Sequence, residues 1–361
     1  MSDTGTTSTT LNKSVFLELT KHCNLNCVHC YVVDNTHRNE LTTDEVKRIL
    51  DELAAERFLF LALTGGEVLL RPDFFEITAH AQRRQFAITV FTNGTLITGD
   101  IADRLATLRC YAVEISLHGA TPATCDAVTA VAGSYEQILR GIRLLKARGV
   151  RVALKANVLD MNIEEIRQIG HLAMALGVGF RGIDAEILPR FSGDVASTHL
   201  AASDRQLLEF YANMFRASSG AARQGVLAHP CPSAGALPCG IGSDGQVTIG
   251  ADGYLYPCPL WRFHGFNLRK MSFHDAYHRK AALIPEVINA RWHDLEHCSD
   301  CDATGNYHHC FAAAMRTTGD PLAHIPLHHR IAQAKTRALA QVEQERQDAA
   351  GLAGRPAAGA A

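Results

Sequence analysis

The chain has 361 residues, enough for two domains at roughly 150 residues each. Lys and Arg number 35 against 37 Asp and Glu, a formal charge of −2, which excludes a polyanion binder driven by bulk charge; 47% hydrophobic residues exclude a disordered chain. No apolar run approaches the ~20 residues of a membrane span, and the Ser/Thr-rich start lacks a charged-then-apolar signal pattern, so a cytoplasmic protein without nucleic-acid or membrane partners is expected.

In chain order, residues 1–13 read as a disordered N-terminus, and strand-like and helix-like segments then alternate. The strand candidates are 14–20, 58–64, 86–92, 111–117, 150–159 and about 179–187. Thr42 and Glu45 form a capping box ahead of Val46, Ile49, Leu50 and Leu53, which share one helix face. Pro72 is expected to open the next helix, where its missing N–H costs nothing. Residues 58–64 are apolar throughout and predict a strand buried on both faces. Later strands alternate instead: Glu114, Ser116 and His118 oppose Val113, Ile115 and Leu117, and Lys155 and Asn157 oppose Leu154, Ala156 and Val158. A polar face on a parallel sheet needs a polar occupant, which a curved sheet around a ligand supplies. Six β-α units fall short of the eight of a closed barrel, so the fold class expected for 14–220 is α/β, a partial (β/α)6 barrel.

Residues 225–329 are rich in Gly, Pro and Cys. Gln246–Ile249 and Tyr254–Tyr256 read as a hairpin opening a second, metal-stapled domain. Gly240-Ile-Gly242-Ser-Asp-Gly245 matches a dinucleotide fingerprint but leads into this hairpin, not a helix, and is set aside. Residues 330–349 predict a surface helix with Ile331, Ala334, Ala338 and Val342 on one side, and 350–361 a disordered tail.

Eleven cysteines, an odd number in a chain without an export signal, argue against a disulfide framework. Cys110 and Cys125 stand alone and read as small buried hydrophobes. The rest cluster. Cys23-Asn-Leu-Asn-Cys27-Val-His-Cys30 directly follows the first strand. Three thiolates on one loop can hold three corners of a [4Fe-4S] cluster and leave one iron without a protein ligand. The alternatives are a zinc site completed by His22 or His29, or thiols without a ligand.

This Cys-x3-Cys-x2-Cys pattern resembles the signature of the radical SAM enzymes, and further matches follow at successive strand ends: Thr64-Gly65-Gly66-Glu67, Thr92-Asn93-Gly94 and Ser116-Leu117-His118-Gly119. The last has His118 where one large subgroup has Asp. The resemblance covers residues 14–190 and implies a [4Fe-4S] cluster on Cys23, Cys27 and Cys30 with S-adenosylmethionine on the open iron. It implies that Gly65, Gly66 and Glu67 hold the methionyl amine, that His29 packs near adenine, and that Asn93 and Ser116 contact ribose or carboxylate; Lys155 and Asn157 are further candidates. The reaction implied is one-electron cleavage to a 5′-deoxyadenosyl radical that abstracts hydrogen from a substrate. No catalytic acid or base is assigned.

Cys231, Cys239, Cys258, Cys298, Cys301 and Cys310, with Gly253 five residues before Cys258, resemble the SPASM extension, which holds one or two auxiliary Fe–S clusters. The expected division is Cys231, Cys239 and Cys258 for one cluster and Cys298, Cys301 and Cys310 for another, with His328, His309 or His308 as completing ligands. Zinc at the second corner stays open. The extension implies a peptide or protein substrate, a separate leader-peptide-binding protein and a one-electron reductant such as flavodoxin or ferredoxin. Pro259, not Asp, follows Cys258, which argues against sulfatase maturation. Peptide crosslinking, thioether formation or epimerisation is the first expectation, with modification of a tetrapyrrole side chain as the alternative. A non-catalytic Fe–S or zinc module is the reading from another class.

Overall fold

A computed structural model describes residues 13–32, 38–218, 239, 241, 245–295 and 306–353. The N-terminal segment up to residue 12, and the tail from 354, lie outside these, as do Cys231, Cys298 and Cys301. The strands are β1 Ser14–Thr20, β2 Phe60–Gly65, β3 Ala87–Thr92, β4 Ala112–Ser116, β5 Val152–Asn157, β6 Gly179–Asp184, β7 Gln246–Ile249, β8 Tyr254–Tyr256 and β9 Phe266–Asn267. Helices α1 Thr43–Ala55, α2 Phe74–Arg83, α3 Gly99–Thr107, α4 Pro122–Thr129, α5 Ser134–Lys146, α6 Ile166–Ala175 and α7 Asp204–Ala217 follow the first six strands. After β9 come α8 Phe273–His278, α9 Phe311–Thr318 and α10 Pro326–Ala353.

One sheet carries all nine strands in the order β6-β5-β4-β3-β2-β1-β7-β8-β9. Strands β1 to β6 are parallel to their neighbours, as expected of helix-bearing crossovers. The hairpin forms where the sequence placed it, but β7 pairs in parallel with β1, Ser14 against Gln246 through Leu17 against Ile249. It therefore extends the barrel sheet and removes the free edge β1 would otherwise present.

The interior of the sheet explains the strand patterns. Strand β2 is not equally buried on both faces: Leu61 and Leu63 are covered, whereas Phe60, Ala62 and Thr64 are half-buried. The inner face is lined, not filled. Across β4 and β5, Lys155 Nζ lies 2.8 Å from Glu114 Oε2 and 3.9 Å from the centre of the Phe91 ring. This pair and ring form a layer with a void on each side: an upper cavity at the C-terminal strand ends and a lower one of about 300 Å³ lined by Phe16, Phe60 and Thr89. Glu18, also on the inner face, pairs with Arg262 from beyond β8.

Helix α1 has the expected capping box: Glu45 N donates to Thr42 Oγ1 at 3.3 Å and Thr42 N to Glu45 Oε2 at 2.8 Å. Pro72 does not open α2. Asp73 intervenes, its carboxylate taken by Arg71 and Thr43, and the helix starts at Phe74. The final helix is longer than expected, Pro326–Ala353, so 350–353 belong to it and not to a tail. Its predicted stripe, with Ala338 and Val342 fully covered, packs on α7, and Arg216–Glu345 and Arg330–Asp204 ion pairs flank the contact. A smaller core around Trp261, Ile284, Phe311 and Ile325 collects Cys239, Cys258 and Cys310 at its margin.

Leu17 is fully buried between its register partners Leu63 and Ile249. Leu17→Ala is expected to cost about 2–5 kcal/mol, read as a lower denaturation midpoint; an unchanged midpoint would contradict the placement of β1 between β2 and β7.

Candidate active site

The loop after β1 presents Cys23, Cys27 and Cys30. Its backbone is held from two sides. Asn26 N donates to Thr129 O at 3.1 Å and Val28 N to Val128 O at 2.9 Å, tying the loop to the end of α4. From β2, Gly66 N donates to Thr20 O and Glu67 N to His22 O, each at 2.8 Å. Both glycines are required by this contact. A Cβ on Gly65, whose φ is +141°, would lie 2.2 Å from Thr20 O, and one on Gly66 2.2 Å from His22 O.

Glu67 is fully buried and does not line the cavity. Its Oε1 accepts from Leu69 N at 3.1 Å and Thr92 Oγ1 at 2.7 Å, and its Oε2 from Asn93 N at 2.7 Å. Burial pushes its carboxyl above the ordinary range, against the pull of these donors. In this structure the carboxylate ties the end of β2 to the end of β3. Asn93 is spent in a similar way. Its Nδ2 donates to Asn24 Oδ1 at 2.9 Å and towards Cys23 Sγ at 3.8 Å, and its Oδ1 accepts from Thr95 N and Oγ1. It lines the cavity, but its side chain braces the cysteine loop.

A cavity of about 420 Å³ at the strand ends is bounded by Cys23, Cys27 and Cys30 together with His29, Gly65, Gly66, Asn93, Ser116, Lys155 and Asn157. Apart from Glu67, every residue the sequence assigned to the nucleotide thus meets the three thiols here. Burial pushes Cys27 up to about 12, and the neighbouring thiols add to the shift. Burial raises Cys23 and Cys30 as well. Such thiols keep their protons until a cation displaces them. His29 Nδ1 is buried without a hydrogen-bond partner, and burial lowers the ring to about 4, so it is neutral. The donor set fits a cuboidal cluster held at three corners, next to a neutral hydrogen-bonding group for a nucleotide.

Among the wall residues not assigned from sequence are His118 and Arg190. His118 packs edge-on against His29, ring centres 4.5 Å apart, and burial holds it well below its ordinary value. Its Nδ1 accepts from Asn157 N at 3.4 Å. Arg190, on the irregular stretch after β6, also lines the cavity; its Nε is buried without a hydrogen-bond partner, and its charge lowers the Cys30 thiol against the burial that raises it. Its position after the sixth strand was the available signal, but a lone Arg in a loop has no pattern.

Of the later cysteines, Cys239, Cys258 and Cys310 gather at the small core around Trp261, and burial raises the Cys310 thiol well above its ordinary value, with Cys258 and Cys239 adding to the shift. Cys231, Cys298 and Cys301 lie outside the described residues, and with them the expected division into two sets. His309 cannot complete a metal site as placed: its Nε2 is 2.7 Å from Pro321 O and its Nδ1 3.3 Å from the Tyr307 hydroxyl. Among the described residues, no helix is long and apolar enough to cross a membrane.

The sequence profile of the Radical SAM superfamily matches residues 17–173. The AdoMet-dependent heme synthase of Methanosarcina barkeri is 28% identical over 86% of this chain and 94% of its own length. The mycofactocin maturase MftC of Mycobacterium ulcerans is 29% identical over 84% of each chain. The solved structure of anSMEcpe with bound AdoMet shares the fold, with a TM-score of 0.71 at 15% identity, covering 94% of this chain and 99% of that one.

Glu67→Ala would strand three donors, each at about 1–3 kcal/mol. Iron bound per chain after anaerobic reconstitution is expected to fall, while the loaded fraction binds S-adenosylmethionine with nearly unchanged affinity. Full iron with lost affinity would instead put Glu67 at the methionyl amine.

Proposed function

We propose that this chain, whose residues 17–173 match the Radical SAM superfamily, is a radical SAM enzyme that abstracts hydrogen from a peptide substrate during peptide maturation. The observation that carries the site is the convergence of three thiols, His29, Ser116 and Lys155 on one cavity at the C-terminal strand ends. When bound, the [4Fe-4S] cluster and S-adenosylmethionine supply the one-electron cleavage that yields the 5′-deoxyadenosyl radical.

The protein's part is placement. Cys23, Cys27 and Cys30 would hold the cluster, and Leu25 N, 3.5 Å from Cys23 Sγ, supplies the kind of N–H contact that stabilises a thiolate ligand. Gly65 and Gly66 present bare backbone to the methionyl end. The Ser116 hydroxyl and the Lys155 ammonium suit its carboxylate, with Glu114 fixing the lysine. His29 Nδ1 is placed to meet the adenine. The wall also carries Lys21 and Arg190, paired with Asp252 and Asp194.

Cys239, Cys258 and Cys310 are proposed to carry an auxiliary Fe–S cluster. Peptide maturation draws support from the likeness to the maturase along 84% of each chain. A second reading, modification of a tetrapyrrole side chain, draws support from the likeness to the heme synthase along 94% of that protein. A flavodoxin or ferredoxin reductant fits either, and a separate leader-binding protein fits the peptide reading alone.

Cys27→Ala is expected to abolish 5′-deoxyadenosine formation in anaerobic, dithionite-reduced assays while iron on the C-terminal cysteines persists. Retained cleavage would remove the loop from the reaction. Short peptides encoded beside the gene and Fe-coproporphyrin III, assayed in parallel by mass shift, separate the two substrates. Turnover of the porphyrin alone would overturn the peptide reading.

A further inference from the structure

A buried imidazole in the C-terminal region lies outside the cavity described above. His328, in the first turn of α10, is 5% exposed. Its Nε2 lies 2.5 Å from Glu186 Oε1. A carboxylate only accepts, so Nε2 is the nitrogen that faces Glu186 with a proton, and Nδ1 is left to face another group. Nδ1 is also buried, and it has no hydrogen-bond partner. A buried polar nitrogen left in this state costs free energy unless something engages it.

Imidazoles that ligate metals have this arrangement: one nitrogen donates to a carboxylate, which fixes tautomer and ring orientation, and the other faces the metal. The surroundings favour a metal over a chance burial. Glu186 follows β6 by two residues. Tyr307, whose ring packs against His328, belongs to the same small core as Cys310, with Cys239 and Cys258 packed against it, so the Glu186–His328 pair borders these cysteines. The Tyr307 ring packs 6.4 Å away and holds the imidazole from the side. The other histidines nearby suit the role less well, since His309 has both nitrogens engaged and His308 is exposed.

We propose that His328 Nδ1 is a nitrogen ligand of an auxiliary iron–sulfur centre in this patch, with Glu186 as the carboxylate that orients the ring. The proposal rests on the auxiliary-cluster reading above and names a ligand for it. A neutral imidazole in place of a thiolate leaves the centre with one negative charge fewer, which raises its reduction potential.

The test uses the full chain carrying Cys23→Ala, Cys27→Ala and Cys30→Ala, so that only C-terminal iron remains, reconstituted anaerobically and poised in its paramagnetic state. Pulsed EPR is expected to show ¹⁴N coupling of a directly bound nitrogen. Adding His328→Cys is expected to keep the iron, abolish the coupling and lower the midpoint potential. Absence of iron in the parent variant, or zinc in its place, would overturn the auxiliary-cluster reading and the proposal with it. Full iron without ¹⁴N coupling, or a coupling that survives in His328→Cys, would overturn the ligand assignment alone.

Discussion

The site depends on one close approach of backbone to backbone. The end of β2 lies so near the stretch Thr20–His22 that a Cβ at Gly65 or Gly66 would sit 2.2 Å from a carbonyl oxygen. This contact sets where the chain leaves β1, and so where Cys23 begins. The buried Glu67 carboxylate fixes the other end by pulling Leu69, Thr92 and Asn93 towards it. Asn93 then reaches Asn24 and Cys23. Motifs far apart in sequence are thus parts of one brace around the thiols, and only some of their side chains are left to meet a ligand.

That division accounts for what could be read from the sequence. Strands β4 and β5 were legible because apolar residues recur at every second position, and β2 because it is a short apolar run, signals that survive without knowledge of the partners. The thiol loop and the glycines were legible because their spacing is unusual. The hydrogen bonds of Glu67 were not, since an acid beside two glycines reads the same whether it faces a cavity or a neighbouring strand, and its burial is a tertiary property. Pro72 misled for a local reason: it is followed by Asp73, a residue with its own capping habit, which the flanking Arg71 and Thr43 then claimed.

The long-range pairings were hidden for a different reason. Residues 246–249 could be identified as a strand, but nothing in four residues names β1 as the neighbour. Arg190 and Glu186 sit on irregular backbone after β6, where no periodicity marks which side chains turn inward. Distance along the chain likewise gave no sign that the small core around Trp261 would gather Cys310 with Cys239 and Cys258.

The parallel β1–β7 ladder has a mechanical consequence. Cys23 lies three residues beyond β1, and Cys258 two residues beyond β8, itself hydrogen-bonded to β7. Cys23 and Cys258 thus follow strands separated only by β7 in one continuous sheet, not lobes joined by a hinge. Any electron passing between them would cross a gap ruled by a stiff ladder, a span that substrate arrival cannot stretch.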